Sequence, residues 1–132
     1  MRNMKILIID DEQDWLTCFV ETIKSIEESA QILSTTDPKI ALKLVTEHCF
    51  DLIFIDLNMP IINGEFLILE VKSISPNSQV VIVSANTKIN CAVKCIRLGA
   101  DDYIDKGDDY DQFMKQLELC LLSTNTNQSN QS

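Results

Sequence analysis

The 132-residue chain is 45% hydrophobic, which suits one domain with a single buried core. Its 20 acidic residues outnumber 11 basic ones for a net charge of −9, opposing the clustered Lys and Arg of a nucleic-acid footprint, so this chain alone is expected to bind no nucleic acid. No apolar run approaches the roughly 20 residues of a membrane span and no apolar signal segment follows Met1, so a soluble, cytoplasmic protein is expected.

Along the chain, short continuous apolar runs alternate with amphipathic stretches five times between Met4 and Leu122, the pattern of a parallel α/β fold. The runs are Lys5 to Asp10, Gln31 to Thr35, Asp51 to Asp56 and Gln79 to Ser84, with a weaker one from Asp101 to Asp105. Continuous β-branched strands imply burial on both faces, and therefore helices above and below the sheet. Trp15, Phe19, Ile23 and Ile26 form one helical stripe; Ile89, Val93 and Ile96 form another, and Phe113, Leu117 and Leu121 a third. Asp37 before Pro38 reads as a helix start, and Asp108 or Asp109 is placed to cap the last helix. From Ser123 to Ser132 the sequence is wholly polar; a first unit of residues 1–122 is expected, followed by a disordered tail or linker at 123–132.

The cysteines Cys18, Cys49, Cys91, Cys95 and Cys120 are odd in number and scattered, as reduced thiols are. Cys91 and Cys95 lie four apart on a helix, but no Cys or His pair elsewhere completes a zinc set. His48 has no evident chemical partner, which suits a solvated or locally satisfied ring.

Open parallel sheets bind ligands at the carboxyl ends of their strands. In this chain those ends are polar: Asp10 and Asp11 after the first strand, Asp56 after the third, Ser84 closing the fourth, Lys106 after the fifth. Carboxylates converging on one rim call for protonation or a hard divalent cation, and magnesium is the expected one. A carboxylate nucleophile, a metal, a fixed lysine charge and a hydroxyl donor are the parts of a phosphoryl-transfer site. Each residue alone is more often a solvated loop group; the joint placement carries the inference.

The series Asp10-Asp11, Asp56-Leu57-Asn58-Met59-Pro60-Ile61-Ile62-Asn63-Gly64, Ser84-Ala85 and Lys106 resembles the receiver domains of two-component response regulators, in order and in spacing from Lys5 to about Leu122. The resemblance implies a flavodoxin-like (βα)5 three-layer sandwich whose five-stranded parallel sheet has the order 2-1-3-4-5, an order for which a member of this family is the standard example. It makes Asp56 the phosphoacceptor, serving a sensor histidine kinase or histidine phosphotransfer protein rather than acting as an enzyme on outside substrates. It gives Mg2+ to Asp11, Asp56 and the backbone carbonyl of Asn58, with Asp10 acting mainly through water. Lys106 would meet the phosphoryl oxygens, and Ser84 and Tyr103 would form the switch. Output partners, or a dimer, would use the face of the fourth helix, fifth strand and fifth helix near Lys88, Lys94, Arg97 and Tyr103. Trp15 reads as a core-edge anchor beside the surface that meets the phosphodonor.

Two positions depart from the family's usual residues. Ser84 replaces the commoner threonine and keeps the hydroxyl. Gly107 replaces the usual proline, which implies a looser loop and a larger basal active population. A pseudo-receiver would lack one of the acidic residues or the lysine, and none is lost. A phosphatase of the haloacid dehalogenase type would need an acid at position 58, where Asn58 cannot transfer a proton.

Overall fold

The computed structural model describes residues 3–57, 64–85 and 89–130, with side chains as far as Thr124. Five strands alternate with five helices: β1 (Lys5–Ile9), α1 (Gln13–Ile26), β2 (Gln31–Thr35), α2 (Pro38–Glu47), β3 (Leu52–Ile55), α3 (Gly64–Ile74), β4 (Gln79–Ser84), α4 (Ile89–Leu98), β5 (Asp102–Asp105) and α5 (Tyr110–Asn130). All strand pairs are parallel, and the sheet order is β2-β1-β3-β4-β5, as expected. β2 and β4 have the expected bounds; β1, β3 and β5 are shorter by one or two end residues, which are the aspartates.

The continuous apolar runs are explained by what lies on each face. Ile6 and Ile8 of β1, Leu52 and Phe54 of β3, and Val81 and Val83 of β4 join Leu16, Phe19 and Ile23 of α1 and Leu117 and Leu121 of α5 in one core. The alternate residues Leu7, Ile9, Ile53, Ile55, Val80 and Ile82 join α2, α3 and Cys95 in the other. A strand's side chains alternate between faces, so a strand covered on both faces must be apolar at every position. The result is a three-layer sandwich.

Local signals set the helix starts. The Asp37 carboxylate accepts from the Lys39 N–H at 2.9 Å with Pro38 next to it, and the Asp109 carboxylate accepts from the Gln112 N–H at 2.9 Å at the head of α5. His48 is locally satisfied, its Nδ1 2.8 Å from Lys5 Nζ.

Two expectations are corrected. α5 does not stop near Leu122: it continues through Asn130, so residues 123–130 are helical rather than a disordered tail. Extending an existing helix needs no new nucleus, and Thr124, 4% exposed, returns a hydrogen bond to the Cys120 carbonyl at 3.0 Å. In α4, Ile89, Val93 and Ile96 are 78%, 43% and 47% exposed and do not form the buried stripe. The inner face is instead Cys91, Cys95 and Leu98, which share the same four-then-three spacing, so periodicity alone could not choose between the two sets.

Candidate functional site

Strand register builds the site. Ile9 of β1 pairs with Ile55 of β3, so the next residues, Asp10 and Asp56, emerge side by side at the carboxyl edge. The Asp56 N–H donates to the Ile9 carbonyl at 3.0 Å, and the Asp10 N–H donates to Thr35 at 3.2 Å, fixing both backbones. Ser84 pairs with Asp105 across β4 and β5, and the Lys106 N–H donates to the Ser84 carbonyl at 2.9 Å. Asp10, Asp56 and Ser84 are 2%, 3% and 0% exposed.

Lys106 reaches across the edge of the sheet. Its Nζ lies 2.6 Å from Asp10 Oδ2 and 3.6 Å from Asp56 Oδ2, and 4.7 Å from the centre of the Trp15 ring. Trp15 is held against Phe19 and Phe113, with ring centroids 5.7 and 5.6 Å away. The tryptophan is thus the expected core-edge anchor, and it also supplies a π face beneath the lysine, a role with no mark in the sequence.

Asp10, Asp11, Glu12 and Asp56 each offer one oxygen, and these oxygens lie within 4.8 Å of one another. Two like charges at that distance repel by about 3.5 kcal/mol at an effective dielectric of 20. One lysine opposes four carboxylates, so the donor set fits a hard divalent cation with oxygen ligands. Glu12 was not singled out in the sequence; the signal was its place as the third acid of the run Asp10-Asp11-Glu12. Its own N–H donates to Asp10 Oδ1 at 2.9 Å, which orients that carboxylate. Asn58, the expected carbonyl ligand, lies outside the described residues, as does Lys88.

Gly64 shows how tightly the segment after Asp56 is packed. A Cβ there would stand 2.6 Å from the Leu57 Cα, too close for any side chain. In the loop after Lys106, Gly107 donates its N–H to Asp105 Oδ1 at 2.7 Å, a bond that proline could not make.

Ser84 and Tyr103 are brought together as a pair. Burial raises the Tyr103 pKa, and a side-chain hydrogen bond from Ser84 partly offsets that rise. The tyrosine is half-buried against the α2, α3 and α4 core, with its hydroxyl at Ser84.

Residues 6–118 match the family described as response regulator receiver domain. The chain is 28% identical over 124 residues to the transcriptional regulatory protein ZraR of Escherichia coli K12, covering 94% of the chain and 28% of that protein. It is 33% identical over 123 residues to the alginate biosynthesis transcriptional regulatory protein AlgB of Pseudomonas putida, covering 90% and 27%. The chain therefore spans little more than a quarter of these relatives. Among solved structures it is similar to a response regulator receiver domain protein from Clostridium thermocellum, with a TM-score of 0.84 at 23% identity over 98% of this chain and 99% of that one. At that identity the likeness shows the fold alone.

Proposed function

The chain belongs to the response regulator receiver family, and from that premise we propose that it accepts a phosphoryl group on Asp56 from a sensor histidine kinase or histidine phosphotransfer protein, in a magnesium-dependent reaction that switches its output surface. The observation that carries this reading is a buried carboxylate at a strand end, 3.6 Å from a lysine and grouped with three further acids.

An Asp56 carboxylate oxygen attacks the phosphorus of the phosphohistidine. The P–N bond breaks, the electron pair leaves on the imidazole nitrogen, and an acyl phosphate remains on Asp56. Asp10, Asp11 and Asp56 would hold magnesium, with Glu12 at their edge. When bound, the metal supplies positive charge to the phosphoryl oxygens. Lys106 must turn part of its charge from Asp10 toward those oxygens, and the Trp15 face keeps it at the edge while it does so. Ser84 donates to a remaining phosphoryl oxygen by leaving Tyr103.

The output surface in this reading is the face of α4, β5 and α5, where Ile89, Val93, Ile96, Leu119 and Leu122 are exposed together with Lys94 and Arg97. Docking of an output partner, or dimerisation, would use this face. Residues 1–122 act as the receiver unit, and α5 continues from it through residues 123–130. Among the described residues no helix is long and apolar enough to cross a membrane, and a cytoplasmic setting follows from the kinase partnership.

The test is incubation with magnesium and acetyl phosphate, with Asp56→Asn as control. Acid-labile phosphate is expected on the wild type and absent from the variant; equal incorporation in both would overturn the assignment.

A further inference from the structure

We propose that Cys91 and Cys95 are a peroxide-sensitive dithiol, which closes to a disulfide within α4 and loosens the first turn of that helix from the sheet. The proposal stands apart from phosphorylation, because it uses neither Asp56 nor its ligands.

The geometry singles out this pair. Cys91 is half-buried and Cys95 fully buried, both on the inner face of α4 and packed in the same core. Cys91 and Cys95 lie one turn apart, and after burial the Cys91 thiol is the neighbour that most raises the Cys95 pKa. Cys18 and Cys49 are exposed, and Cys120 is buried in the core on the other side of the sheet. Cys95 is also the one fully buried residue of α4, so the helix is held to the sheet mainly through this thiol and its half-buried neighbours.

Oxidation begins at the more accessible sulfur. Burial, then the neighbouring Cys91, pushes the Cys95 thiol up to about 11 and keeps it protonated at neutral pH, which leaves Cys91 to react. The Cys91 sulfur attacks the O–O bond of a hydroperoxide; one oxygen stays as the sulfenic acid and the other departs as water or alcohol. Cys95 then displaces the sulfenic hydroxyl, which leaves as water with the Cys95 proton, and the S–S bond forms. Two thiols are oxidised and one peroxide is reduced.

The bond cannot close on an intact helix. Residues four apart have Cβ atoms about 5–6 Å apart, whereas a disulfide needs about 3.5–4.5 Å. Cys91 is the third residue of α4, in the turn that unwinds most easily, so closure draws Cys91 down and opens that turn. Tyr103 packs against the same core as both cysteines, so the change occurs at the wall of the Ser84 and Tyr103 pair.

The full chain carrying Cys18→Ser and Cys49→Ser is treated with hydrogen peroxide and digested without reduction. A peptide containing Cys91 and Cys95 should appear lighter by two hydrogens, revert on adding dithiothreitol, and be lost in Cys91→Ser and Cys95→Ser. In Cys95→Ser, Cys91 should instead be trapped by dimedone as sulfenic acid. Amide exchange in the first turn of α4 should speed up in the oxidised protein and return on reduction, while β1 and β3 stay unchanged. Accumulation of sulfinic acid at Cys91 with no crosslink, linkage to Cys120, or a crosslink with unchanged α4 exchange would each overturn the proposal.

Discussion

Lys106 Nζ sits 2.6 Å from Asp10 but 3.6 Å from Asp56, so the lysine of the site is bound first to the acid beside the phosphoacceptor. Its side chain is 9% exposed, and removing one member of a buried ion pair leaves the others uncompensated. Lys106→Ala should therefore lower stability by about 3 kcal/mol at neutral pH without metal. Magnesium should recover part of that loss, because it supplies the missing charge to the same carboxylates. Urea unfolding with and without magnesium measures both; a neutral effect in the absence of metal would show that the pair carries little.

The same crowding predicts a metal-linked stability. The melting temperature should rise with millimolar magnesium, through binding to the folded state alone, and the rise should shrink in Asp11→Ala. Asp56→Asn without metal should be more stable than the wild type, because it removes one of four grouped charges. Differential scanning fluorimetry over a magnesium series checks this; a rise of the same size in Asp11→Ala would move the metal elsewhere.

The loops around the site have two opposite glycine demands. Gly64→Ala would push a methyl to within 2.6 Å of the Leu57 backbone and should cost about 1–3 kcal/mol. Gly107→Pro removes the N–H that holds Asp105, a partly exposed charge-assisted bond, and should cost on the order of 1 kcal/mol despite restoring the family's usual residue. Chemical denaturation of each variant decides. A stabilised Gly107→Pro would show that proline's rigidity outweighs the lost hydrogen bond.

Much of this was legible in the sequence because strands buried on both faces leave a continuous apolar signature and because their polar ends stand out against it. The sheet order came from the resemblance, while Asp10, Asp56, Ser84 and Lys106 were visible as polar stops. The inner face of α4 was not legible: cysteine packs as a small hydrophobe there, and the larger Ile89, Val93 and Ile96 repeat at the same spacing on the outside. The ring of Trp15 under Lys106 depends on residues 91 positions apart, and local patterns carry no such distance. The helical 123–130 segment was hidden because polar composition reports the absence of a core and says nothing of continuation from an existing helix.

Alkaline pH should weaken the fold at the buried thiols. Burial raises Cys120 to about 12 and Cys95 to about 11 from an ordinary 9.0. Both are neutral in the folded and unfolded chain below pH 9, so their contribution is fully present there. Above pH 9 the unfolded chain loses these protons first, and stability falls progressively until the folded values of about 11 and 12 are passed. Denaturant midpoints between pH 8 and 11 should decline, and less steeply in Cys120→Ala measured against its own value at pH 8. An identical slope in both proteins would remove Cys120 as a cause.

The Ser84 hydroxyl has two competing partners in the proposed switch, and only one of them belongs to the protein. In the unphosphorylated fold Ser84 bonds Tyr103, within a half-buried pocket beside α4. A phosphoryl group on Asp56 can claim that hydroxyl only after the Tyr103 bond is broken, so the bond biases the equilibrium toward the resting arrangement. Tyr103→Phe keeps the ring and removes the competitor. A hydrogen bond of this kind contributes about 1 kcal/mol, so the variant should bind the beryllofluoride mimic about fivefold more tightly. Ser84→Ala should bind it more weakly, because the donor itself is gone. Titration followed by NMR of the Asp56 and Lys106 amides gives both affinities. Unchanged or weaker binding in Tyr103→Phe would show that the tyrosine does not hold the serine back, and that the switch turns on another contact.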